Sequence, residues 1–215
     1  SIKFKLFVMP NETVIASGQV DKIGFDDATF SIKYNGKETK RTLPIKDHKL
    51  GAQLIIDGLI EHEVVKNMNE IEALGHRIVH GGEIFKEHAL VTDKVIEQII
   101  ELSDMAPLHN MAHAISIKAF REVLSDVPHA VIFDTVFHST MKEDAFMYAT
   151  PYEWYTDYGV RKYGFHGTSH KYVSEKTNEL LKNKKDSKII VCHIGNGASL
   201  AAVRDGLCVE TSMGF

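Results

Sequence analysis

No apolar run in the sequence approaches the roughly 20 residues that cross a bilayer as a helix, so a membrane-spanning helix is excluded. Cysteine is nearly absent. Cys192 lies in an apolar, strand-like run and Cys208 lies beside it, which predicts buried thiols in a reducing cytosol rather than a disulfide framework. Neither charge sign dominates: the net charge is −4, so neither nucleic acid nor an anionic membrane is expected as a partner, and any anion site must be local. The start, Ser1-Ile2-Lys3-Phe4-Lys5-Leu6-Phe7, alternates charged and apolar residues without an apolar h-region. No secretion signal is therefore expected, a cytoplasmic location is, and the acceptor-like triplet Asn11-Glu12-Thr13 is read as chance. There is no short-period repeat and no low-complexity tract. The opening strand pattern and the closing Ser212-Met213-Gly214-Phe215, with no polar tail, predict a chain shortened at both ends.

What is present reads as a soluble α/β chain. Hydrophobic residues make up 44% and charged residues 25% of 215 residues, enough for one large domain or one and a half ordinary ones. Alternation predicts strands over 2–8, 14–20 and 28–34, a tight Asn35-Gly36 turn, and a return strand over 37–43. Helical spacing follows at Leu50, Leu54, Ile55, Leu59 and Ile60, then a short strand over 74–79. Thr92 and Asn110 are read as caps of two further helices, and Ala130–Phe133 as a buried strand ending at Asp134. The stretch 140–165 is aromatic and irregular, and the junction between two domains is placed there. Beyond it, a helix over 169–181, a polar loop and strands over 189–194, 199–203 and 207–211 repeat the ribbon of the first segment.

Five segments carry chemistry. His76-Arg77-Ile78-Val79-His80-Gly81-Gly82-Glu83 sets an arginine at a strand end before two glycines. Its guanidinium fork matches a carboxylate or phosphate, and equally a structural ion pair. Ala106-Pro107-Leu108-His109-Asn110 precedes a helix, where an anion or a capping role fits. Asp134 stands at a strand's carboxyl end, placed to bind a metal-nucleotide, orient an arginine, act as a base, or cap a turn. Tyr163–His170 carries His166 and His170. His193-Ile194-Gly195-Asn196-Gly197-Ala198-Ser199 presents a glycine turn that suits phosphates or a plain hairpin, and it is not a Walker A loop. The pairs His76/His80 and His166/His170 have zinc-like spacing. The first lies on a strand, where positions four apart are about 13 Å apart, and the second among loop glycines, so no metal site is assigned.

Taken together, HRIVHGGE (76–83), APLHN (106–110), FDT (133–135), YGFHGTSH (163–170) and HIGNGAS (193–199), in this order and spacing, resemble the acetate kinase family over essentially the whole chain. Ser1–Phe7 is similar to the family's start. The resemblance implies a duplicated, actin-like fold of the acetate and sugar kinases, each domain on a ribonuclease-H-like core. The first domain would occupy 1–140, lacking its start, and the beginning of the second would occupy 141–215. It implies reversible phosphoryl transfer between MgATP and acetate, giving acetyl phosphate and ADP, with propionate kinase as the neighbouring activity.

By the same resemblance, Arg77 binds the acetate carboxylate, and Val79, Leu108 and Phe165 line the methyl pocket. His166 donates to the transferring phosphoryl group, His109 supports that region, and Asp134 is the family's catalytic acidic residue, expected to orient groups or hold the Mg–phosphate assembly. His193, Ile194, Gly195, Asn196 and Gly197 contact ATP phosphates, and Lys3 belongs to the N-terminal phosphate region. A serine- and glycine-rich phosphate loop, a second arginine, the adenosine site and the Mg²⁺ ligands are expected outside this chain. Negligible activity is therefore expected of the chain alone, and a homodimer at full length. Two other classes share these residues: a metal-dependent hydrolase built on the histidine pairs, and a non-catalytic nucleotide-binding module of actin-like fold.

Overall fold

The structure, a computed structural model, describes residues 1–214. The chain forms two compact units, each assembled from two stretches: Ser1–Leu74 with Ala112–His129, and Gly75–Met111 with the chain from Ala130 onward.

The first unit begins with a four-stranded antiparallel sheet in chain order: β1 (Ile2–Val8), β2 (Thr13–Asp21), β3 (Thr29–Tyr34) and β4 (Lys37–Thr42). Asn35 and Gly36 both take positive φ (47° and 72°), the twist that joins β3 and β4 through two residues. Period-two alternation turns Ala16, Val20, Phe30 and Ile32 inward, against Ala52, Ile55, Ile56 and Leu59 of α1 (His48–Glu61). The Asp47 side chain caps α1 by accepting from the Leu50 amide (2.8 Å). The core of this unit is closed by Ala119, Phe120 and Leu124, the first two from the later part of α3 (Asn110–Val123).

The second unit holds two sheets. One has the order β5 (Leu74–Ile78), β7 (His129–Phe133), β6 (Ala89–Leu90). Thr92 caps α2 (Asp93–Glu101) as expected. The second sheet is antiparallel, β8 (Lys188–Ile194), β9 (Ala198–Arg204) and β10 (Leu207–Thr211), with β9 central. The stretch expected to be irregular contains two short helices, α4 (Glu143–Phe146) and α5 (Tyr152–Tyr158), and α6 (Gly167–Leu180) follows. Met141 and Phe146 pack with Ile189, Val191, Ala201, Val203 and Cys208 beneath the second sheet, with Phe137 alongside. Thr140 also donates to the Cys208 carbonyl (2.7 Å). The buried members of this core all follow the expected 140/141 junction, and Phe137, just before it, packs against them. Cys208 is buried, but Cys192 points to the opposite face of β8 and is exposed, against expectation. Among the described residues, no helix is long and apolar enough to cross a membrane.

Candidate active site

The motif segments meet at the carboxyl ends of β5 and β7. Arg77 lies on β5, and Asp134 follows β7 directly. The Asp134 amide donates to the Ile78 carbonyl (2.9 Å), which places the two side chains together. Arg77 Nε donates to both Asp134 oxygens (3.0 and 3.2 Å), and Nη2 donates to Oδ2 (2.7 Å). The Asp134 side chain is 2% exposed and that of Arg77 64% exposed, so a buried carboxylate holds a guanidinium that faces outward. That contact raises the arginine's pKa further above its ordinary value. Next along the chain, the buried Thr135 hydroxyl accepts from the Gly81 amide (3.1 Å).

Asn110 ties a third segment to the same place. Its side chain reaches another segment rather than staying within its own helix start. Its amide donates to the His80 carbonyl (3.0 Å), and its oxygen accepts from the His80 N–H (3.3 Å). A buried backbone needs hydrogen-bond partners, and the Asn110 side chain supplies them at His80. The His80 ring is buried beside Tyr163 and Phe165 (centroids 4.6 and 5.5 Å), and burial pushes its pKa down to about 4.

The start of α6 closes the arrangement. The Asp134 carbonyl accepts from the Gly167 amide (2.9 Å), and a Cβ at Gly167 would lie 2.2 Å from that carbonyl oxygen, so only glycine allows this approach. His166, the residue before the helix, takes φ +59°, an uncommon conformation for a side-chain-bearing residue and a mark of functional sites. Its ring stacks on His193 (centroids 4.1 Å, 22° between planes). His166 Nδ1 lies 2.8 Å from Ser199 Oγ, and His170 Nε2 lies 2.7 Å from the same oxygen. His193 Nδ1 lies 2.9 Å from Ser169 Oγ. Burial lowers the His166 pKa, and His193 adds to the effect. Burial, then His138, His166 and His193, push His170 down to about 4.

The structure thus joins Arg77 to Asp134, and Asp134 through its backbone to the helix that carries His166. It also sets His193 and Gly197 against His166: a Cβ at Gly197 would meet the His166 ring at 3.1 Å. Phe165 is partly buried and Val79 half-buried just beyond β5. Leu108 is 85% exposed, and His109 is exposed. Ile194, Gly195 and Asn196 are exposed at the turn after β8, where the Gly195 amide closes on the Gly197 carbonyl (3.0 Å). Lys3 is exposed on β1 of the first unit. His166 and His170 converge on the Ser199 hydroxyl rather than on a common empty point. Reading the sequence missed Thr135, Asn110 and Ser199 as site builders, although each lies inside a motif it singled out. Their small polar side chains carry no signal until the fold shows them buried.

The comparisons agree with this geometry. Two curated relatives, the acetate kinases of Geobacillus sp. (strain WCH70) and Bacillus subtilis (strain 168), are 51% and 50% identical over 216 residues. Those stretches cover 100% of this chain and 54% and 55% of the relatives, so the chain spans about half their length. The crystal structure of Porphyromonas gingivalis acetate kinase superimposes with a TM-score of 0.94 at 38% identity, over 99% of this chain and 54% of that one. A propionate kinase from Francisella tularensis gives 0.91 at 36% identity, with the same coverage. The mixed α/β fold expected from the motifs is therefore the fold of these kinases. The Acetokinase family model matches residues 1–215, and the chain belongs to that family.

Proposed function

We propose that this chain supplies the acetate- and phosphoryl-handling side of an acetate kinase, which transfers a phosphoryl group reversibly between ATP and acetate. The observation that carries this reading is the Arg77–Asp134 pair, whose carboxylate residue also receives the start of α6 and so sets His166 beside it. A guanidinium has five N–H donors, and Asp134 engages only the Nε–H and Nη2. The fork at the end of the group stays directed outward, suited to a small carboxylate. Acetate is ionised at neutral pH and attacks phosphorus without a general base. An acetate oxygen bonds to phosphorus as the bond to the ADP oxygen breaks, and ADP leaves with that electron pair. In this reading Asp134 orients Arg77, His166 donates a hydrogen bond to the moving phosphoryl group, and the turn at Gly195–Gly197 faces the ATP phosphates. Positioning and charge neutralisation are what this reaction asks of a protein.

The resemblance also implies Mg²⁺. Both Asp134 oxygens are taken by Arg77, and among the described residues no three His, Cys, Asp or Glu side chains form a metal-binding group. The described residues therefore do not fit a magnesium site on their own, and no step is assigned to the metal. A cytoplasmic homodimer at the relatives' length is part of the same proposal.

Propionate is the second reading, supported by the Francisella structure. Val79 would fill the space that a longer acyl chain needs, and the relatives at about half identity are named acetate kinases, so acetate is preferred. Acetate is expected to slow modification of Arg77 by phenylglyoxal, read by peptide mass mapping, where chloride at equal ionic strength does not. Equal rates in the two salts would count against acetate at Arg77.

A further inference from the structure

Ser199 and His170 are both fully buried, and the valences of their hydrogen bonds are restrictive. The Ser199 hydroxyl has one proton to give and lies within bonding distance of two ring nitrogens, His166 Nδ1 at 2.8 Å and His170 Nε2 at 2.7 Å. It donates to at most one of them, so the other ring must donate to it. His170 decides which. Its Nδ1 is buried with no hydrogen-bond partner among the described residues. An orphaned buried N–H is rarer and more costly than an orphaned lone pair. His138, His166 and His193 surround the ring at centroid distances of 5.5, 6.5 and 6.2 Å, and burial with these neighbours keeps it neutral. The single His170 proton therefore belongs on Nε2, directed at Ser199.

We infer that His170 and Ser199 are positioning residues: His170 Nε2–H donates to Ser199, the Ser199 hydroxyl donates to His166 Nδ1, and His166 is thereby held neutral with its proton on Nε2. That nitrogen faces the glycine turn, since a Cβ at Gly197 would lie 3.1 Å from it. The histidine then presents an uncharged N–H donor on the side assigned to the phosphates, an assignment taken from the proposed function. A second chain fixes the backbone next to it. The Phe165 carbonyl can only accept, so His138 Nε2–H donates to it (2.9 Å), and His138 Nδ1 is left as an acceptor facing the Cys208 thiol (3.1 Å), whose proton also lies within reach of the Glu210 carbonyl (3.5 Å). The Cys208 thiol is pushed up to about 11, so it keeps that proton.

Long-range ¹H–¹⁵N correlation spectra of the ¹⁵N-histidine-labelled chain at mildly alkaline pH read tautomers directly, and the peaks missing in His166→Gln identify His166. Its neutral ring is expected with Nε2 protonated. Ser199→Ala should produce a mixture containing the Nδ1–H form, and Ser199→Thr, which keeps the hydroxyl, should restore the single form. A wild-type His166 protonated on Nδ1 overturns the inference whatever the variants do, and so does an unchanged tautomer in folded Ser199→Ala. The readout is a tautomer, not turnover. Its failure leaves the acetate reading standing, and loss of acetate protection at Arg77 leaves the tautomer result standing.

Discussion

Arg77 and Asp134 stand 57 positions apart in sequence and meet only because β5 and β7 end side by side. Each side chain was legible as a candidate from its own motif. Their partnership was not, because it belongs to the packing of two strands that no local pattern relates. Of the four roles open to Asp134, the proposed function takes the orientation of an arginine, because the pair is what the structure shows. In a catalytically complete chain, Asp134→Asn should therefore lower kcat by on the order of 100-fold, the scale for a misplaced reacting group, without adding or removing a limb of the pH–rate profile. A new limb would show that Asp134 exchanges protons in the reaction. At the pocket wall, Val79→Ala should raise kcat/KM for propionate relative to acetate by about 10-fold, the worth of roughly one methylene. An unchanged ratio would remove Val79 from the acyl pocket.

The start of α6 and the end of β8 bring His166, His170 and His193 together, while His138 comes from the short turn after Asp134. Keeping the buried rings of His170 and His80 neutral has a consequence for stability. Their pKa values lie near 4 in the fold and near 6.5 in the unfolded chain. Between those values the unfolded chain takes up protons that the folded chain refuses. Stability is therefore greatest above about pH 6.5 and falls as pH drops toward 4, by about 3 kcal/mol for each ring. Urea midpoints across this range should fall more steeply for the wild type than for His170→Gln, and parallel lines would contradict the neutral, buried ring. Most elements were readable because their periodicity was strong: the alternating strands β1–β4, the capped helix α2 and the apolar β8 fall within a residue or two of expectation. The exceptions are short. β6 has only two residues, and α4 and α5 are four and seven residues long, too short for an amphipathic period to rise above the aromatic background.

For the molecule as a whole, family and fold were legible because five motifs recur in a fixed order. The division into compact units was not, since each unit draws on two separated stretches of chain, and contiguous reading assigns boundaries only along the sequence. The chain spans about half the length of the curated relatives it matches, so its share of the reaction is itself a testable quantity. Residues 1–215 alone are expected to give negligible acetyl phosphate in a hydroxamate assay, and robust turnover would show that half the family length is sufficient. The most direct test is a chimera in which this chain replaces the matching 216 residues of the Bacillus subtilis relative, assayed for hydroxamate with ATP and either acetate or propionate. The expected result is ATP-dependent turnover that favours acetate and is abolished by Arg77→Ala. A folded chimera that is inactive on acetate, or whose activity survives Arg77→Ala, would contradict the role given to this chain.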